Sequence, residues 1–162
     1  MNSRPANYLR EGKTVNSEME RIWLIRAEYD RMLLEARTQY PKEACGLLAG
    51  TISEDGEKIV SKVYLLTNTD QSEEHFTLDP KEQLDAIRDM RKLGLRPLGN
   101  WHSHPKTPSR PSEEDKRLAY DKQAVYMILS LAQTEPVLNA FHIENGEARK
   151  ESLRIMEGDE IA

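Results

Sequence analysis

Two histidines, His102 and His104, open the stretch WHSHPKTPSRPSEED at residues 101–115, in a chain that holds only 4. On an extended backbone the side chains of i and i+2 leave the same face. His102 and His104 then aim two imidazoles at one point, and Ser103 turns away. Catalytic zinc sites typically combine three protein ligands with a water, histidine nitrogens lying about 2.0–2.1 Å from the ion. Pro105, Pro108 and Pro111 stiffen the loop that follows, and Asp115, in the first turn of the next expected helix, can return a carboxylate to the pair. Two imidazoles and one carboxylate make a workable facial metal site with a position left for water.

Each half of this pattern also has a purely structural explanation. Ser112-Glu113-Glu114-Asp115 has the form of a capping box, in which Ser112 caps a helix and Asp115 reaches back to its amide. Histidine pairs also occur on surface strands without any metal. The two features nevertheless fall within one short loop that holds no core-forming residue, and this favours the metal.

Composition narrows the alternatives. The 162 residues suit one core, and 23 basic residues against 28 acidic ones give a net charge of −5. There is no basic stripe with interleaved aromatics, so no nucleic-acid partner is expected. A single cysteine, Cys45, excludes an internal disulfide and a zinc site built from several thiolates. It also excludes the Pro-Cys-x-x-Cys element of nucleobase deaminases. No run approaches the roughly 18 apolar residues of a membrane span, and the N-terminus lacks the apolar stretch of a secretion signal. No membrane partner is expected, and the protein is placed in the cytoplasm. Oligomeric state is not legible.

The elements that must position the pair follow from periodicity. Residues 1–20 form a loose, flexible leader, and residues 21–162 a single domain. RIWLIR (21–26) alternates as a strand; residues 27–40 carry Tyr29, Met32, Leu33, Ala36 and Tyr40 at helical spacing, with Pro41 as the stop. CGLLAG (45–50) and residues 57–68 read as strands, and 74–78 as a short edge strand. Asp79-Pro80 begins a second helix with Leu84, Ile87, Met90 and Leu93 on one face and Gly94 at its end. The pair sits on an extended segment at 96–104. Residues 111–121 open a third helix, 125–132 form an apolar strand, and 137–144 and 148–156 close as a pair around Asn145-Gly146. The fold class is α/β in the α+β sense: a mixed, curved sheet with about three helices packed on it.

His-x-His-Pro, six residues, Ser, two residues, Asp resembles the signature of the JAMM (MPN-plus) zinc metalloproteases. PKEACGLLAG resembles the family's upstream element, with Glu43 in the matching place. The resemblance runs in outline from about residue 21 to about 145. It implies a JAMM/MPN-like, cytidine-deaminase-like architecture and one Zn2+ ion held by His102, His104 and Asp115, with a bound water. It further implies Glu43 as general base and Ser112 as donor to the oxyanion. The implied substrate is the C-terminal Gly-Gly tail of a ubiquitin-like or sulfur-carrier protein, as in the short stand-alone prokaryotic members. Two other functions stay open: a non-catalytic scaffold of the same fold, and a zinc hydrolase of a small-molecule amide. Among other polar or aromatic residues, Cys45 reads as core, and Trp101 as packing beneath the metal loop. His75 and Glu73-Glu74 read as exposed surface, and His142 as structural or solvated.

Overall fold

The computed structural model describes residues 20–158. The expected leader therefore lies outside the described residues apart from Glu20, which is anchored: its amide donates to the buried Glu151 carboxylate at 2.7 Å.

Strand β1 (Arg21–Ile25) leads straight into helix α1 (Arg26–Gln39), then β2 (Cys45–Ile52) and β3 (Lys58–Leu66). Helix α2 (Pro80–Leu93), strand β4 (Arg96–His104) and the five-residue helix α3 (Glu113–Arg117) follow. The chain closes with β5 (Val125–Ser130), β6 (Val137–Glu144), β7 (Glu147–Lys150) and β8 (Ser152–Met156). All eight strands join one sheet in the order β7-β6-β5-β4-β2-β3-β1-β8. Pairings are antiparallel except β4–β5, β1–β3 and β1–β8, so the sheet is mixed as expected. Among the described residues, no helix is long and apolar enough to cross a membrane.

The centre of the sheet is buried on both faces, which is why β2 and β5 read as continuous apolar runs. On one face Met32 and Ala36 of α1 join Leu48, Val63 and Trp101 in the larger core. On the other, Ala86 and Met90 of α2 meet Leu47, Ala49 and Leu66. Trp101 belongs to the α1 face, so its neighbours in β4, His102 and His104, project to the α2 face. Gly46 makes this packing possible, since a Cβ there would stand 2.5 Å from the Trp101 indole nitrogen and 1.7 Å from the Tyr64 carbonyl oxygen.

Four expectations need correction. Residues 74–78 form no strand: their β pairing is limited to an isolated bridge, Asn68 to Leu78. The third helix is shorter than 111–121, ending at Arg117. Leu84 and Leu93 are 49% and 53% exposed, because α2 turns Ala86 and Met90 inward with Ile87 half-buried. Residues 148–156 are two strands: β7 pairs with β6 around the Asn145-Gly146 turn, whose φ values of 55° and 77° fit an Asn-Gly hairpin. At Glu151 the chain then crosses to the opposite edge, where β8 runs parallel to β1.

Candidate active site

At the C-terminal end of β4 the expected juxtaposition is present. His102 Nε2 and His104 Nε2 lie 3.1 Å apart, and each is 3.2 Å from Asp115 Oδ2. The three ligand atoms form a group that could hold one metal ion.

Local interactions build this group. His104 Nδ1 donates to the Pro108 carbonyl at 2.8 Å, which leaves the Nε2 lone pair facing the centre. The loop from 105 to 111 is pinned to the sheet: Ser130 Oγ donates to the Thr107 carbonyl, Ser109 Oγ to the Ile128 carbonyl, and Asn139 Nδ2 to the Ser109 carbonyl. It is therefore a rigid return path, and it delivers Ser112 to the N-terminus of α3. There both readings of Ser112-x-x-Asp115 hold at once. Ser112 Oγ accepts from the Asp115 amide at 3.0 Å, and the Ser112 amide donates to Asp115 Oδ2 at 2.9 Å. The capping box aims the carboxylate, and that carboxylate oxygen is the one facing the histidines. Ser112 Oγ uses only an acceptor lone pair in the box, so its own proton can point elsewhere.

The chemistry of the donor set fits a zinc ion. Burial pushes the His102 imidazole below its ordinary pKa, against the pull of Asp115, which favours the neutral form that ligates. Burial would raise Asp115, yet hydrogen bonds to both histidines and the Ser112 amide hold it well below the usual carboxylate range. Phe76 stacks on His102 with ring centroids 4.5 Å apart and fixes the ring plane.

Glu43 reaches the same place from far away in sequence. Cys45 pairs with His102 in the β2–β4 register, and Glu43, two residues earlier, lies near enough for the Asp115 charge to act on its carboxyl. Ser103, pointing away from the metal group, makes the junction: its hydroxyl accepts from the Ala44 amide at 2.7 Å and its amide donates to the Ala44 carbonyl. Glu43 is 5% exposed, and its Oε1 has no hydrogen-bond partner among the described residues. Burial, and then the charges of Asp115, Glu114 and Glu74, push its carboxyl up to about 9. A buried carboxyl with a raised pKa and an unpaired oxygen is equipped for acid–base work.

The remaining residues divide as follows. Trp101 lies in the core with its indole N–H on the Tyr64 carbonyl. Cys45 is buried, and burial raises its thiol to about 12, out of the range of a nucleophile. His142 is structural: its ring nitrogens meet the Ala124 carbonyl and the Glu20 carboxylate. His75 is exposed but bonded to Glu114, and Glu73 pairs with Lys106 at 3.0 Å. These two contacts tie the 68–79 loop to both sides of the metal loop.

Sequence reasoning missed Asn68 and Phe76. Asn68 is buried; its Nδ2 donates to the Glu43 and His75 carbonyls, and its Oδ1 accepts from the Asp70 and Thr77 amides. A polar residue closing a strand just before a polar loop was the available signal. For Phe76 there was none.

Beside His102 and Asp115 opens a cavity of about 360 Å³, whose walls include Phe76, Leu78, Asn100, Leu118 and Tyr126.

Known proteins carry the same organisation. Residues 26–144 match the family described as prokaryotic homologs of the JAB domain. A CysO-cysteine peptidase of Mycobacterium tuberculosis is 31% identical over 138 residues, covering 84% of this chain and 92% of the relative. A desampylase of Pyrococcus furiosus is 33% identical over 92 residues, covering 57% of this chain and 62% of the relative. A protein of Desulfitobacterium hafniense solved in solution is 49% identical with a TM-score of 0.77, over 84% of this chain and 93% of that one. With most of its length inside the family match and with relatives named as a peptidase and a desampylase, the chain belongs to the prokaryotic JAB-domain family and is a hydrolase of the JAMM type.

Proposed function

We propose that this protein is a cytoplasmic zinc metallopeptidase that hydrolyses the amide bond at the C-terminal Gly-Gly tail of a ubiquitin-like or sulfur-carrier protein. One observation carries the reading: two imidazoles and a carboxylate converge within 3.2 Å in a cleft, with a buried carboxyl, Glu43, within reach of the Asp115 charge. The names of the relatives, a CysO-cysteine peptidase and a desampylase, support the substrate class.

His102, His104 and Asp115 would hold the ion. Zinc, when bound, polarises a water and brings its pKa toward about 7. Glu43 accepts the proton of the attacking water and passes it to the leaving amine. Ser112 donates its hydroxyl proton to the carbonyl oxygen as charge develops there; one such donor is worth about 2.7–4 kcal/mol. Phe76 and Leu118 shield the reacting centre on the cavity side. The tail of two glycines lies extended beside residues 73–78 and binds through backbone groups.

The test is intact mass spectrometry of carrier conjugates incubated with zinc-loaded protein, with and without a chelator. Loss of the conjugated mass that stops with chelator and with Glu43→Gln is the expected result. A conjugate left whole by fully loaded protein would refute the proposal.

A further inference from the structure

Three buried side-chain polar atoms lack a hydrogen-bond partner among the described residues: Glu43 Oε1, His102 Nδ1 and Asn100 Oδ1. A polar atom taken out of water and left unpaired carries its desolvation cost in full. Glu43 and His102 belong to the acid–base and metal chemistry described above. Asn100 has no part in it, yet it stands beside them. It precedes His102 by two residues in β4, so both side chains leave the same face of the strand, and both line the cavity of about 360 Å³. Asn100 also lines a neighbouring cavity of about 450 Å³, with Gln83, Leu118, Tyr120 and Tyr126 common to the two. The cleft therefore continues past Asn100 toward Arg96, at the other end of β4.

The fold makes no use of this carboxamide. The sheet holds the Asn100 backbone, which pairs with Leu47 of β2 and Tyr126 of β5. A leucine at this position would have a similar size and no unpaired atom. A partner that arrives with the substrate removes the penalty, and the proposed tail offers one. Two glycines present only peptide groups, and a carboxamide matches a peptide group because each carries a donor and an acceptor. Spacing selects which peptide group is met. Asn100 and His102 lie roughly 6.6 Å apart along the strand, at about 3.3 Å per residue, and two extended residues of a tail span about the same length. With the carbonyl carbon of the second glycine at the metal group, the N–H of the first glycine falls at Asn100.

Resting on the tail-hydrolase reading above, we infer that Asn100 is a specificity-determining residue: its carboxamide oxygen accepts the backbone N–H of the first glycine and fixes which bond of the tail reaches the metal group. The soft Cβ–Cγ torsion turns that oxygen toward the cleft. A tail held both here and at its scissile carbonyl cannot slide by one residue, so cleavage falls after the second glycine. A free dipeptide has no peptide group at that distance and loses the contact.

The experiment uses the full-length zinc-loaded protein and a Gly-Gly-ended carrier conjugate in two semisynthetic forms. One is natural; in the other an ester replaces the amide that enters the first glycine, which removes a single N–H and keeps the shape. Intact mass spectrometry reads cleavage after the second glycine. The wild-type kcat/KM is expected to fall about tenfold from amide to ester, the scale of one hydrogen bond. Asn100→Leu is expected to be about tenfold slower than wild type on the amide, and to lose only about twofold or less on going to the ester. Asn100→Ala supplies the same comparison if the leucine variant does not fold. Equal wild-type turnover of amide and ester overturns the assignment and leaves the hydrolase reading intact. An ester penalty as large in the variant as in the wild type also overturns it, because a purely structural side chain would not change that ratio. Cleavage of neither form by the wild-type protein overturns the hydrolase reading itself, and the role of Asn100 with it.

Discussion

Replacing Glu43 by Gln is expected to stabilise the metal-free protein, with a gain that grows with pH. The folded chain holds this carboxyl protonated up to about 9, chiefly through burial, with Asp115, Glu114 and Glu74 adding repulsion. The unfolded chain releases the same proton near its usual 4.5. Between these values the folded state binds one more proton than the unfolded state, so stability falls as pH rises. The loss accumulates at about 1.4 kcal/mol per pH unit and reaches about 3 kcal/mol at pH 7, an upper value because the site relaxes. Gln has nearly the same shape and no proton to lose, so it escapes the penalty. For a domain of this size, a gain on that scale corresponds to roughly 10 °C in Tm. The assay is paired thermal or denaturant unfolding of wild-type and Glu43→Gln proteins in chelator, at pH 5 and pH 8. The curves should nearly coincide at pH 5 and separate at pH 8, with the variant the more stable. Loading zinc should narrow the gap, since a cation beside Glu43 favours its ionised form. A variant no more stable than wild type at pH 8 in chelator would refute the reasoning.

Three further outcomes follow from the same geometry. His104→Ala should abolish stoichiometric zinc uptake, read by elemental analysis after dialysis, while Glu43→Gln should retain the metal with turnover almost gone. Ser112→Ala removes both a cap and an oxyanion donor; it should cost about 1 kcal/mol of stability by denaturant unfolding and lower kcat about a hundredfold or more. Asn68→Ala strands the backbone groups of Glu43, Asp70, His75 and Thr77 that its amide serves. It should destabilise the protein by about 1–3 kcal/mol and lower kcat although the residue touches no substrate, and unchanged kcat at full zinc loading would show that it does not position Glu43.

Much of the site was legible because its information is local. The i, i+2 histidines share a face on any extended strand, and Ser112 and Asp115 are joined by a capping box whatever surrounds them. The single cysteine removes the thiolate alternatives by count alone. Periodicity placed β2, α1, α2 and β5, whose apolar patterns reflect which faces are covered. It failed at 74–78, where a β-like composition lies along a loop held by Asn68 instead of by a neighbouring strand, and at 148–156, where one apolar-polar run conceals a crossing between opposite sheet edges.

Residue types and short spacings thus determined the group that could hold a metal ion, His102, His104 and Asp115, and the chemistry open to it. Tertiary structure alone decided that Ala44 joins Ser103, bringing Glu43 within reach of the Asp115 charge, and that Phe76 stacks on His102. The reason is physical: side-chain direction within one element repeats with the backbone, whereas pairing across 59 residues, from Ala44 to Ser103, depends on how whole faces of the sheet pack against α1 and α2.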